Sequence, residues 1–310
     1  MDLLNDLRKV RDILSRIDYK TLTTILDSYV PSIPMAIFDF DNRPNAFGQW
    51  YAGGNNLLYR GRLITDPEKK PFSEFNQINY IGKENLDKII KYGRVNKPGE
   101  SMFYASTKKA IACLETFTKE VDLEHLGDNS LSLFVQVGIW KIETSLVLAR
   151  MPIPENDFAT FLNKMKMLNL EQITLDEVQK QNAELRGAFS NEEHFKILEF
   201  FAEEFAKIKM DDNNGYKLSN YYADRVFNRN SNFDTNLSID GIMYPSVPSS
   251  YQELNIVLPP SIVDSKLRFL WSDFVWVTIN KKRGVRFNTI EQRAKVNDKG
   301  VIEWRRFKPN

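Results

Sequence analysis

Three side chains suited to chemistry stand close together in the chain: Arg94, Tyr104 and Glu115, ten and then eleven residues apart. An arginine presents a planar fork of donors that fits a pyrophosphate. A tyrosine ring can stack on a flat heterocycle such as nicotinamide. A carboxylate can hold ribose hydroxyls and stabilise the oxocarbenium character that grows as a glycosidic bond breaks. Nicotinamide departs as a neutral molecule, so no strong general acid is required, and a chain with two histidines can do this work. Each residue alone also has a plain structural reading. Arg94 can be a charge on a surface turn, Tyr104 a core aromatic with its hydroxyl satisfied, and Glu115 the edge of a solvated helix.

The elements around them follow from the local sequence. Pro98-Gly99 suits the two central positions of a type II turn. Ser101 to Ala105 reads as a short strand, and Ser106 or Thr107 can cap a helix whose apolar residues are Ala110, Ile111, Leu114 and Phe117. Glu115 falls one turn after Ile111, beside that apolar face. A turn, a strand and a helix would then present the three side chains from neighbouring elements.

The block from Tyr92 to Glu115 resembles the core of the RES-domain family, named for Arg, Glu and Ser. The family pattern runs Gly-Arg, a nearby Asn or Trp, a Pro-Gly-like turn, an apolar strand with Tyr and a helix with Glu. Here these are Gly93-Arg94, Asn96, Pro98-Gly99, Tyr104 and Glu115. Two flanking stretches are similar to the family as well: Tyr59-Arg60-Gly61-Arg62, and Asp240-Gly241-Ile242-Met243-Tyr244-Pro245-Ser246 followed by Asn255-Ile256-Val257-Leu258. The resemblance implies an ADP-ribosyltransferase-like fold and a bacterial toxin-type enzyme that cleaves the nicotinamide–ribose bond of NAD⁺. Arg94, Tyr104 and Glu115 would be its catalytic set, and Arg60, Arg62 and Ser246 would bind the dinucleotide, Ser246 through a hydroxyl offered to it. NAD⁺ would be the substrate, no metal would be needed, and an antitoxin protein is an implied partner. Water, phosphate or a protein side chain could each accept the ADP-ribose. The alternatives are a protein ADP-ribosyltransferase using the same residues and a non-catalytic interaction protein on the same fold.

Composition sets the frame. The chain has 310 residues, 42% hydrophobic and 12% aromatic, enough for a large core. A formal net charge of +1 carries no signature of a nucleic-acid binder. Residues 281 to 310 hold ten Lys/Arg against three Asp/Glu; a solvated strand with a charged edge is the expected reading. The single cysteine, Cys113, allows no internal disulfide and reads as core filler. His125 and His194 have no metal-ligand spacing to each other or to Cys113. The charged start and the lack of a long apolar run lead to the expectation of a soluble cytoplasmic protein with no membrane segment.

Strand and helix signals mix without a regular alternation, so the expected class is α+β, a mixed β core with helical additions. The expected organisation is a helical N-terminal extension over residues 1–45 and a RES-type domain over 46–310 with a helical insertion at about 155–235. Compact members of the family lack the extension, the 65–92 stretch and the insertion. Leu3, Leu7, Val10, Leu14 and Ile17 form an apolar stripe, with a break expected near Asp18 to Thr24. That stripe could serve a homo-oligomer or partner seam; docking on the chain's own domain is the expectation. Residues 41–56 read as a connector and Leu57–Ile64 as a strand; a short helix is expected near Leu86–Ile90. Ser190 with Glu193 reads as a capping box for a helix burying Phe195, Leu198, Phe201, Phe205 and Ile208, and Ser219 as the cap of a helix ending at Phe227. Five strands are expected after Gly241, with hairpin turns at Lys281–Gly284 and Asn297–Gly300; Trp271 and Trp276 read as packing residues among them.

Overall fold

The computed structural model describes residues 3–40, 56–66, 68, 70–117, 130–155, 174–207, 214–227, 238–280 and 284–306. In chain order the helices are α1 (Leu3–Ile13), α2 (Tyr19–Tyr29), α3 (Phe75–Ile78), α4 (Lys109–Phe117), α5 (Leu175–Arg186), α6 (Glu192–Ala206), α7 (Lys217–Phe227) and α8 (Pro260–Lys266). The strands are β1 (Ala36–Phe40), β2 (Leu57–Leu63), β3 (Phe103–Ser106), β4 (Ser130–Ile142), β5 (Leu146–Arg150), β6 (Gly241–Pro245), β7 (Leu254–Leu258), β8 (Leu267–Asn280), β9 (Gly284–Val296) and β10 (Ile302–Arg306). They form a ten-stranded sheet in the order β1-β5-β6-β7-β3-β2-β4-β8-β9-β10. Each neighbouring pair is antiparallel except β5–β6, which is parallel. The chain is an α+β protein, as its mixed patterning predicts.

The stripe of the first helix faces inward. Leu7, Leu22 and Leu26 are fully buried in one cluster with Phe195, Phe201, Tyr221 and Tyr222 of α6 and α7 and with Ile242 and Val257 of the sheet. Each such side chain contributes about 2 kcal/mol of burial. The stripe is therefore occupied by the chain's own core. The break between α1 and α2 comes earlier than the 18–24 expected, because Asp18 caps α2 by accepting from the Thr21 amide at 2.7 Å. The opposite face of the same part of the sheet packs Phe103, Trp140, Leu148 and Leu258 with Val263 of α8. Past β2, helix α4 lays Ile111, Cys113 and Leu114 on Val135, Val137, Val275 and Val277. Cys113 is buried filler, and burial pushes its thiol up to about 12.

Several local expectations shift. Asn191, not Ser190, caps α6, its side chain accepting from the Glu193 amide; Asn is as good a cap as Ser and stands one residue nearer the apolar run. Ser219 lies inside α7, fully buried, with its hydroxyl donating to Tyr216 O at 3.0 Å. The short helix expected at Leu86–Ile90 is a 3₁₀ turn at Lys83–Lys88, and β1 and α8 had no prediction. Among the packing tryptophans, Trp276 is 40% exposed although it stacks near Phe134. The basic C-terminal stretch supplies β10, an edge strand of the sheet. His194 is exposed; Ile208, His125, residues 41–55, most of 155–173 and the turn at 281–283 lie outside the described residues. Among those described, no helix is long and apolar enough to cross a membrane.

Helix α4 and strand β2 approach each other closely at one glycine. A Cβ at Gly61 would stand 2.4 Å from Ala112 O and 2.7 Å from Thr116 Cγ2, so glycine lets α4 rest on β2. Gly61→Ala is expected to lower stability by about 1–3 kcal/mol through overpacking, read as a lower urea midpoint with an unchanged slope. An unchanged midpoint would show that the helix does not press on this strand.

Candidate functional site

Strands β2 and β3 pair at Tyr59 and Ser106, and beyond that point β2 continues only against β4. The sheet splits there. Arg60 reaches across the split and its Nη1 donates to Tyr104 O at 2.9 Å. A cavity of about 590 Å³ opens at the split, lined by Arg60, Arg62, Arg94, Tyr104 and Glu115 together with Tyr244. That volume is typical of small-molecule sites. Five of the six residues singled out in the sequence thus share one cavity.

The carboxylate of Glu115 is held from behind. Ser246 Oγ donates to Oε1 at 2.7 Å, and Asn255 Nδ2 donates to the same oxygen at 2.6 Å. Oε2 has no donor among the described residues. Ser106 Oγ donates to Asn255 Oδ1 at 2.5 Å, which turns the amide so that its nitrogen faces the carboxylate. Ser246 is fully buried and does not line the cavity. Its hydroxyl is directed at Glu115, where the resemblance had offered it to the ligand. A partly buried carboxylate needs such donors to stay in place.

Arg94 lies in a short loop before β3. Its Nη1 donates to the carbonyl of Phe205, in the last turn of α6, and its guanidinium lies 5.7 Å from the Tyr216 ring centre and 6.0 Å from that of Tyr244. A helix C-terminus with free carbonyls is a favourable partner for a cation. Burial works against the charge, but the surrounding Tyr216 and Tyr244 and the Glu115 carboxylate outweigh it and raise its pKa. The Pro98-Gly99 turn forms as predicted, with Gly99 at φ +78° and the Glu100 amide on Lys97 O at 3.0 Å.

The phenol of Tyr104 is taken by its own surroundings. It donates to Asn96 Oδ1 at 2.7 Å and accepts from the Val95 amide at 3.0 Å. Burial raises its pKa above the ordinary tyrosine range. With the hydroxyl satisfied, the ring is the part left for a ligand. The structural reading of this residue, a buried aromatic with its hydroxyl satisfied, holds.

Arg60 and Arg62 have no carboxylate partner among the described residues. Burial, then the like charge of Arg62, holds the Arg60 pKa well below the arginine range, and burial alone lowers that of Arg62. The Nε of each is buried and has no hydrogen-bond partner among the described residues. Arg62 makes one long contact, Nη2 to Asn79 O at 3.4 Å. An anion in the cavity would relieve both groups. Among the described residues no cluster of His, Cys, Asp and Glu is arranged to hold a metal.

Ser106 reads in the sequence only as a possible helix cap, and Tyr244, like Asn255, is not singled out there for a role at the site. Asn255 stands there only as part of a flanking likeness. The usable signal was a lone amide inside the apolar strand Leu254–Leu258, where a polar group must find a partner.

No curated protein matches the chain. The RES domain family matches residues 64–272, most of the chain, with Arg94, Tyr104, Glu115, Ser246 and Asn255 inside the match and α1 and α2 outside it. A match of that extent, which takes in Arg94, Tyr104 and Glu115 and leaves Arg60 and Arg62 outside, means that the chain belongs to the RES domain family.

Proposed function

We propose that this protein is an NAD⁺-consuming enzyme that breaks the nicotinamide–ribose bond on an ADP-ribosyltransferase-like scaffold. The observation that carries the reading is the shared cavity: cations at Arg60, Arg62 and Arg94, an aromatic ring at Tyr104, and a carboxylate at Glu115 fixed by two donors. Pyrophosphate would sit against Arg60 and Arg62, which have no carboxylate partner among the described residues. The nicotinamide ring would lie on Tyr104. Oε2 of Glu115 would take the ribose hydroxyls and face the positive charge that builds at C1′.

In the reaction the C1′–N bond breaks and both its electrons go to the nicotinamide nitrogen, which becomes neutral. The acceptor oxygen forms the new bond at C1′ and its proton passes to solvent. Water gives ADP-ribose, inorganic phosphate gives ADP-ribose 1″-phosphate, and a protein side chain gives an ADP-ribosylated protein. An NMR time course of NAD⁺ with purified protein, with and without phosphate, identifies the product; NAD⁺ that persists in every condition contradicts the reading.

Glu115→Gln keeps the shape and removes the charge. Turnover of NAD⁺ is expected to fall by about 10²–10³-fold, the usual scale for a group that stabilises developing charge, with the melting temperature changed by only a few degrees. Retention of wild-type turnover would remove Glu115 from the mechanism. Asn255→Ala strips one donor from the carboxylate and leaves Ser106 without its acceptor. Stability is expected to drop by about 1–3 kcal/mol, in a denaturant titration, and turnover is expected to drop with it. If both stay at wild-type values, Asn255 does not hold the carboxylate.

A further inference from the structure

The helical head and the insertion meet at the loop that bears Arg94. Helix α7 contributes two side chains. Asn220 Nδ2 donates to Gly93 O at 2.6 Å, and Asp224 accepts from Lys97 Nζ at 2.9 and 3.0 Å. The start of α2 closes the other side: Tyr19 Oη donates to Asp224 Oδ2 at 2.8 Å, and its ring stands 5.8 Å from Tyr92 and 5.4 Å from Lys97 Nζ. The head is itself tied to α7, since Lys217 Nζ donates to Leu14 O and Ile17 O at 3.0 and 2.6 Å. Lys97 and Asp224 are about three-quarters buried, 28% and 26% exposed, so solvent weakens their attraction less than that of a fully exposed pair.

The loop is also held by the Arg94 bond to Phe205 O and by Val95, buried in the core. Its internal bonds include the Gly93 amide to Asn96 O at 2.9 Å, the Val95 amide to Tyr104 Oη, the Gly99 amide to Ile89 O at 2.8 Å and the Lys97 amide to Glu100 Oε2 at 3.1 Å, and Lys97 Nζ also pairs with Glu100 Oε1 at 3.2 Å. Arg94 and Asn96 lie between the two attachment points, Gly93 and Lys97. Asn96 in turn accepts from the Tyr104 phenol. The attachments at Gly93 and Lys97 thus bracket the residue that carries the guanidinium and the residue that bonds the Tyr104 phenol, and they act beside the Arg94 bond to Phe205 O.

We propose that Tyr19, Asn220 and Asp224 are positioning residues, a clasp through which the N-terminal helical pair sets the placement of Arg94 and Tyr104. The role in turnover rests on the NAD⁺ reading; the clasp itself does not. Of the clasp residues, Tyr19 lies outside the segment that matches the RES domain family, while Asn220 and Asp224 lie inside it.

The test uses the full-length chain with Asp224→Asn, the milder Tyr19→Phe, and the exchanged pair Lys97→Asp with Asp224→Lys. Hydrogen exchange is followed by mass spectrometry on the peptide covering residues 92–100, beside steady-state NAD⁺ turnover. Asp224→Asn is expected to speed exchange in that peptide roughly ten-fold, the scale of one lost charged hydrogen bond, with peptides from β6 and β7 unchanged. kcat/KM is expected to fall by roughly ten- to a hundredfold, as for a misplaced reacting group. Tyr19→Phe should move both readouts the same way by less, and the exchanged pair should recover part of each. Unchanged exchange in 92–100 overturns the clasp, and so does faster exchange with wild-type kcat/KM. If the wild-type protein leaves NAD⁺ intact while exchange still rises in the variants, the NAD⁺ reading falls and the clasp stands on exchange alone.

Discussion

The site depends on one carboxylate oxygen. Oε1 of Glu115 accepts from Ser246, 131 residues later in the chain, and from Asn255, 140 residues later. To satisfy both, α4 must lie against the junction where β6 ends and β7 begins, and the helix must also rest on β2 at Gly61. The bonds to a charged acceptor are worth about 1.5–3 kcal/mol each where they are shielded from water. Local propensity places the helix; these long-range bonds choose which way its carboxylate points. Ser106 extends the arrangement by one step, because its hydroxyl decides which end of the Asn255 amide meets the glutamate.

Opposite this anion the split between β2 and β3 gathers positive charge. A continuous sheet would have paired Tyr104 O with a neighbouring amide. Here Arg60 takes it, and in doing so a guanidinium is drawn into a place where burial and Arg62 both oppose its charge. Buried cations of this kind mark ligand sites more often than they add stability. Arg94 is handled differently, with a helix C-terminus and two phenol rings around it. The segment around α6 and α7 thus backs the site through Arg94, which meets Phe205 and Tyr216.

The sequence made the strands around the cavity legible because they are short apolar runs bounded by turn residues, as at Leu57–Leu63 and Leu254–Leu258. The Pro98-Gly99 turn was legible because only glycine sits easily at φ +78°. Arg94, Tyr104 and Glu115 stood out by spacing and by likeness to a family. What stayed hidden was the part decided by distant partners. Nothing near Ser246 says that its hydroxyl meets Glu115, and nothing near Asn255 says that it finds the same carboxylate. The caps failed for a related reason: Ser190 and Asn191 are both good caps, and tertiary packing of Phe195 and Phe201 picks the register. Whether the N-terminal stripe would meet another chain or this one also required the partner surface, supplied by α6 and α7.

The central claim is that one dinucleotide spans the anion and the cations of a single cavity. A crystal structure of the full chain with carba-NAD⁺, which cannot lose its nicotinamide, tests it most directly. The account predicts the nicotinamide ring against Tyr104, a ribose hydroxyl within hydrogen-bond distance of Glu115 Oε2, and the pyrophosphate on Arg60 and Arg62. A ligand bound elsewhere, or one that reaches the arginines and leaves Glu115 untouched, would contradict it.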